Sequence, residues 1–236
     1  MNKRKWFFII LILIISISVY ANEIIDSLWQ KAEKIASKSW NLVPGKIQKK
    51  KEVFKINGYL KSFKTVSLGC EVLEDSINVF FINAKSNSKA LPESNSYVQD
   101  EIKRNYYPKN HSIFHNNCKY KVEYKKTDEI MEINGKQYVI YEVDFLMEEN
   151  REIVEYIGKV WLNAETGIPY ILEKSPKKLS TLMKSFVKIT EYDVDANGFW
   201  IKKSETTITE VKMLFIRLKM KLEYTYSNYC RFPKNK

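Results

Sequence analysis

Apolar and polar positions change their period along this chain. From Trp6 to Ile15 there is no period at all, only an apolar run. Residues 23–42 then place Ile24, Ile25, Leu28, Trp29, Ala32, Ile35, Ala36 and Trp40 at spacings of three and four. That spacing predicts one amphipathic helix. Lys31, Glu33, Lys34 and Lys38 fall on its other side, and Pro44-Gly45 is expected to end it. The mixed charges and two tryptophans favour a helix packed on a sheet over one lying on a membrane.

From about residue 51 the period drops to two, which predicts strands. Val53 to Lys61 reads as a strand turned at Asn57-Gly58. Glu71-Val72 and Ile77 to Ala84 read as a pair joined through Glu74-Asp75-Ser76. Residues 85–118 lose strand character, except for a short helix over Tyr97 to Arg104. Loops of that length are uncommon in compact domains unless they cover something, so this one is a candidate lid. Asn134-Gly135 is a hairpin signal between Asp128–Ile133 and Gln137–Met147. Further strands cover Ile153–Leu162, Ile168–Lys174, Phe186–Val194 and Phe199–Val211. A last strand carries Leu214, Ile216, Leu218, Met220, Leu222, Tyr224 and Tyr226 on one face. Such alternation marks an antiparallel sheet with one apolar face and one wet face. A meander of this size closes into a barrel or stays half open.

Composition narrows the function classes. The chain has 236 residues, 44% of them hydrophobic and 14% aromatic, so disorder is not expected. With 3 Cys and 2 His it is neither a disulfide scaffold nor a multi-site zinc protein. Lys3-Arg4-Lys5, the apolar run and Val19-Tyr20-Ala21 form the three regions of a secretory signal over residues 1–21. Trp6 to Ala21 is shorter than the roughly 20 apolar residues of a membrane span, which favours cleavage over anchoring. The leader holds three basic and no acidic residues, so its removal lowers the formal charge from +11 to +8. Residues 22–236 are expected to form one domain. Export makes nucleic acid a poor partner. An anionic membrane surface fits the compartment better, beside the plainer reading of a solvated basic face. Cys70, Cys118 and Cys230 permit one disulfide whose pairing spacing does not reveal.

Candidate chemistry is sparse. His111, His115 and Cys118 have metal-like spacing but lack a fourth ligand and sit in loop-like sequence, so no metal is assigned. Glu142 and Asp144 lie two apart on one strand, where a solvated face explains them. There is no nucleophile elbow, zinc-protease helix motif or phosphate loop. No catalytic residue, cofactor or enzymatic activity is expected.

Val160-Trp161-Leu162-Asn163-Ala164-Glu165-Thr166-Gly167-Ile168-Pro169 is similar to a hairpin of the periplasmic outer-membrane lipoprotein-sorting (LolA-like) family. Tyr138–Phe145 resembles that family's preceding strand and Asp195–Lys202 a later hairpin. Tyr226-Ser227-Asn228-Tyr229 resembles its closing segment. The resemblance covers most of the chain after the leader, most strongly residues 137–232. It implies an α+β fold: a curved antiparallel sheet forming a half-open, incomplete β-barrel, with the N-terminal and inserted helices across the concave face. It also implies a periplasmic monomer. Its apolar cavity would take acyl chains of lipoproteins or other lipids, exchanged with membrane donor and acceptor complexes. The residues that would line the cavity are Val143, Phe145, Val160, Leu162, Leu172, Leu214, Ile216, Leu218 and Leu222, with Trp29 from the helix. By type, each is more often an ordinary core residue than a ligand wall. Carriers of the family also aim an arginine into the cavity from an early strand. This chain has no Arg between Arg4 and Arg104, so that residue has no counterpart. The alternative is an envelope sensor or interaction module of the same fold, which usually brings a second domain. The strand pattern here runs to Tyr229 of 236 residues.

Overall fold

The computed structural model describes residues 26–39, 41–55, 57–73, 76–103, 113–114, 122–149, 152–213 and 216–232. The leader, Trp40, His111, His115, Cys118 and Leu214 lie outside them. Helix α1 (Ser27–Ser39) is followed by strands β1 (Leu42–Lys55), β2 (Leu60–Leu73), β3 (Ser76–Ser86) and the short β4 (Lys89–Ala90). Helix α2 (Ser96–Ile102) precedes β5 (Val122–Ile133), β6 (Lys136–Glu149), β7 (Glu152–Asn163) and β8 (Pro169–Pro176). Strands β9 (Met183–Val194), β10 (Trp200–Met213) and β11 (Ile216–Arg231) complete the described chain.

All these strands form one sheet in the order β4-β3-β2-β1-β11-β10-β9-β8-β7-β6-β5, and every pairing is antiparallel. The edge strands β4 and β5 do not pair, so the sheet stays open, as the half-open expectation requires. The path is not a simple meander. The chain enters at the middle, on β1, and runs outward to β4. It restarts at the far edge with β5 and returns until β11 zips onto β1 over Leu42–Lys55.

Both helices cover the same face of the sheet. α1 buries Leu28, Trp29, Ala32 and Ala36 against β6, β7, β8 and β10. α2 buries Val98 against Val66 and Leu68 of β2 and Ala84 of β3. Asn95 caps α2 by accepting from the Tyr97 N–H at 3.1 Å. Ile113 and Phe114 are buried in the α1 core. Both belong to the segment 85–118 expected as a lid, of which 104–112 and 115–118 lie outside the described residues.

Pro44-Gly45 does not end the helix, contrary to the sequence reading. α1 stops at Ser39, and both residues belong to β1, which begins at Leu42 rather than near Val53. Gly45 is needed there because a Cβ would collide with the Asn228 carbonyl of β11. The early part of β1 is masked in sequence by Lys49-Lys50-Lys51, whose charges hide the alternation. β2 is likewise a full strand from Leu60, not the fragment Glu71-Val72. The hairpin at Asn134-Gly135 is as expected, with φ of 51° and 73° at its two central residues.

Candidate functional site

The concave face under α1 holds the largest buried apolar cluster among the described residues. Asp26 starts α1 by accepting from the backbone N–H groups of Leu28 (3.0 Å) and Trp29 (3.3 Å). Its other oxygen accepts from the Tyr141 hydroxyl of β6 at 2.7 Å, so one carboxylate both caps the helix and ties it to the sheet. Burial, and then this bond to Asp26, push the Tyr141 phenol far above its ordinary pKa. Trp29 is 2% exposed; its ring lies parallel to Tyr124 at 4.0 Å and meets Phe114 at 4.9 Å and Tyr141 at 5.6 Å. At the other end of α1 the Ser39 hydroxyl accepts from the Trp200 N–H at 3.0 Å. The Trp200 indole donates to the Pro169 carbonyl at 3.0 Å.

The Val160–Pro169 hairpin has a definite task here. Asn163 Oδ1 accepts from the Thr166 N–H (2.9 Å) and hydroxyl (2.8 Å), which rigidifies the turn. Gly167, at φ +76°, lies directly under α1: a Cβ would press on the Leu28 carbonyl at 3.1 Å. Lys31 donates across to the Glu165 carbonyl at 3.2 Å. The turn is thus the seat of the helix.

Six of the residues expected to line a cavity come together here: Trp29, Val143, Phe145, Val160, Leu162 and Leu172 are all buried in the α1 cluster. They are packed on each other and on the helix. Leu214 lies outside the described residues, and the other three do not join them. Leu222 packs beside Tyr224 in a separate cluster with Ile47 and Cys70, and Leu218 is half-buried on the same strand. Ile216 is 57% exposed at the start of β11.

Sequence reasoning missed that the concave face is not apolar throughout. Lys49, Glu101, Lys174, Thr190 and Thr209 are buried on it or against it. Lys49 of β1 pairs with Glu101 of α2, and its ammonium lies over the rings of Tyr97 (5.0 Å) and Tyr224 (5.5 Å). Glu205 of β10 accepts from Lys188 (3.0 Å) and Lys202 (3.3 Å). Burial opposes the Glu205 carboxylate, but the Lys202 and Lys188 charges outweigh it and hold its pKa down at about 2. The only sequence signal for this was the Lys49–Lys51 run.

A depressed carboxylate pKa stabilises the fold above the unfolded value and loses that contribution as pH falls through the folded one. Between pH 4.5 and about 2, protonation of Glu205 is expected to remove at most about 3 kcal/mol. Urea titrations across that window check it. Glu205→Gln should be less stable at pH 7 and flatter between pH 5 and 2; an unchanged acid slope would contradict the assignment.

Two surface hollows are less suited to an apolar guest. One of about 650 Å³ is lined by Tyr124, Val143 and Ile157 but also by Glu123, Glu142, Asp144 and Glu173. The other, about 850 Å³, lies among the turns beside Tyr138, Tyr170, Asp193 and Lys203. Asp144 meets Lys177, and Glu142 is exposed, so the two do not form a sheltered carboxylate pair. Cys70 and Cys230 are free thiols on strands that flank β1, and burial pushes the Cys70 thiol up to about 11. Among the described residues no group of His, Cys, Asp and Glu is placed to hold a metal ion. No helix among them is long and apolar enough to cross a membrane.

No protein-family model matches the chain, and no curated protein matches it. Two solved structures are similar at low identity. A DUF1329 family protein from Desulfovibrio piger is 9% identical over 90% of this chain and 94% of its own, with a TM-score of 0.35. A chain of the Pseudomonas aeruginosa MucA/MucB complex is 7% identical over 88% of this chain and 100% of its own, with a TM-score of 0.24.

Proposed function

We propose that this protein is a non-enzymatic, monomeric periplasmic carrier that holds an acyl chain of a lipoprotein or lipid between α1 and the sheet. The observation that carries the reading is the roof of the apolar bay. One amphipathic helix and the Ile113-Phe114 turn cover it, where a closed barrel would have further strands. The resemblance of the Val160–Pro169 hairpin to lipoprotein-sorting proteins supports the same reading. The bay is packed as it stands, so a guest enters by displacing α1. The polar ties at Asp26, Lys31 and Ser39 are few and sit at the helix ends and rim, which suits a hinged cover. Alkyl burial drives uptake, at about 0.8 kcal/mol per CH₂.

Native mass spectrometry of protein purified from its own periplasm tests this, together with titration of a fluorescent acyl probe. Co-purified acyl ligand and saturable probe uptake are expected. A clean apo mass with no uptake would sink the proposal.

A further inference from the structure

The register of the sheet lines up lysines that are far apart in sequence. From β8 to β2, successive cross-strand partners on the concave face are Lys174, Lys188, Thr207, Leu222, Lys51 and Lys64. Lys174 stands directly opposite Lys188, and Lys51 directly opposite Lys64. Like charges in direct opposition destabilise a sheet. Lys188 is compensated by Glu205 and Lys174 turns to Met147 and Tyr156, but neither Lys51 nor Lys64 meets a carboxylate among the described residues, so that pair is a cost to the fold. The row is half-sheltered, which weakens screening by solvent. The Lys188 ammonium shares Glu205 with Lys202, and Lys64 lies over the Tyr97 ring at 4.8 Å. Lys51 makes no ion pair among the described residues.

The same row continues on β7 and β6 as Gly158 and Val143. Lys174 marks the junction, with its ammonium 4.0 Å from the Tyr156 ring centroid of the apolar core. Cationic groups and an apolar bay thus share one continuous track. Resting on the acyl-carrier reading, we infer that the guest is an anionic amphiphile. Its negatively charged headgroup lies on Lys51, Lys64 and Lys188, and its chain runs toward the bay under α1. An anion there relieves the Lys51–Lys64 opposition, which a neutral lipid does not.

The test uses 11-(dansylamino)undecanoic acid and its methyl ester with the chain lacking residues 1–21, at pH 7.5 and low salt. The acid is expected to bind about tenfold more tightly than the ester, with the gap closing at high salt. In K51Q/K188Q the acid should lose about tenfold while the ester stays within twofold. Equal binding of acid and ester, or an unchanged gap in the double variant, overturns the anionic headgroup and leaves the acyl carrier standing. Binding of neither probe overturns both. Displacement of the acid by a Glu-rich peptide and not by dodecanoate would also overturn it, in favour of an acidic peptide. A second readout needs no ligand. K51Q alone removes one opposed pair, so its melting temperature should rise by about 1–3 °C; an unchanged or lower value contradicts the repulsion.

Discussion

Trp29→Ala is expected to destabilise the protein by about 3–5 kcal/mol, the range for deleting a buried tryptophan. The residue is among the largest fully buried side chains and the centre of the α1 contact. Its removal strips the stacked Tyr124 and the tilted Phe114 and Tyr141 of their common partner. Collapse cannot refill the space, because the sheet below is braced by ladders on both sides and α1 is pinned at Asp26 and Ser39. Urea unfolding gives the number. A loss under about 1 kcal/mol would mean that α1 contributes little to the native state. The same variant separates roof from floor: if α1 alone loosens, hydrogen exchange rises in Ser27–Ser39 while the β6–β7 ladder stays protected.

Gly158→Ala is the second large effect, expected at about 2–3 kcal/mol from overpacking. Gly158 lies in β7 facing Lys174 of β8. An added Cβ would collide with the Glu173 carbonyl oxygen and stand 3.1 Å from Lys174 Cα. Those are backbone atoms of the neighbouring strand, so no side-chain rotation relieves the clash. β8 would have to move outward, carrying Leu172 away from the core and Lys174 out of the lysine row. Gly58→Ala is the control. Its φ is +84° but nothing lies within 4 Å, so only the backbone strain of about 1–2 kcal/mol applies. Thermal or urea unfolding of both variants decides the matter; equal losses would show that close approach of β8 is not what Gly158 serves.

Much of the strand content could be read directly. Val139, Tyr141, Val143, Phe145 and Met147 alternate without interruption, and β6 buries that face in the α1 core. Turn chemistry marked the hairpins at Asn134-Gly135 and Asp195–Gly198, where glycines take positive φ. α1 was readable from its spacing, and the packing role of Trp29 from its face. What failed was every position where charge broke the alternation. Lys49 and Lys51 sit on the concave side of β1, one buried and one half-buried, yet their type argues for solvent. The tolerance of Lys49 depends on Glu101, Tyr97 and Tyr224, brought in from α2 and β11.

By itself the sequence determined the elements: one amphipathic helix, long alternating strands and an antiparallel sheet with one apolar face. These follow from local periodicity and turn residues, which act over a few positions of the chain. The tertiary structure alone decided that β1 and β11 are neighbours, that the sheet leaves β4 and β5 unpaired, and that one face is apolar at one end and cationic across its middle. Those outcomes depend on register between residues as far apart in sequence as Leu42 and Arg231. Register is a property of the pairing, and a shift of one residue would exchange the lysine row with the opposite face.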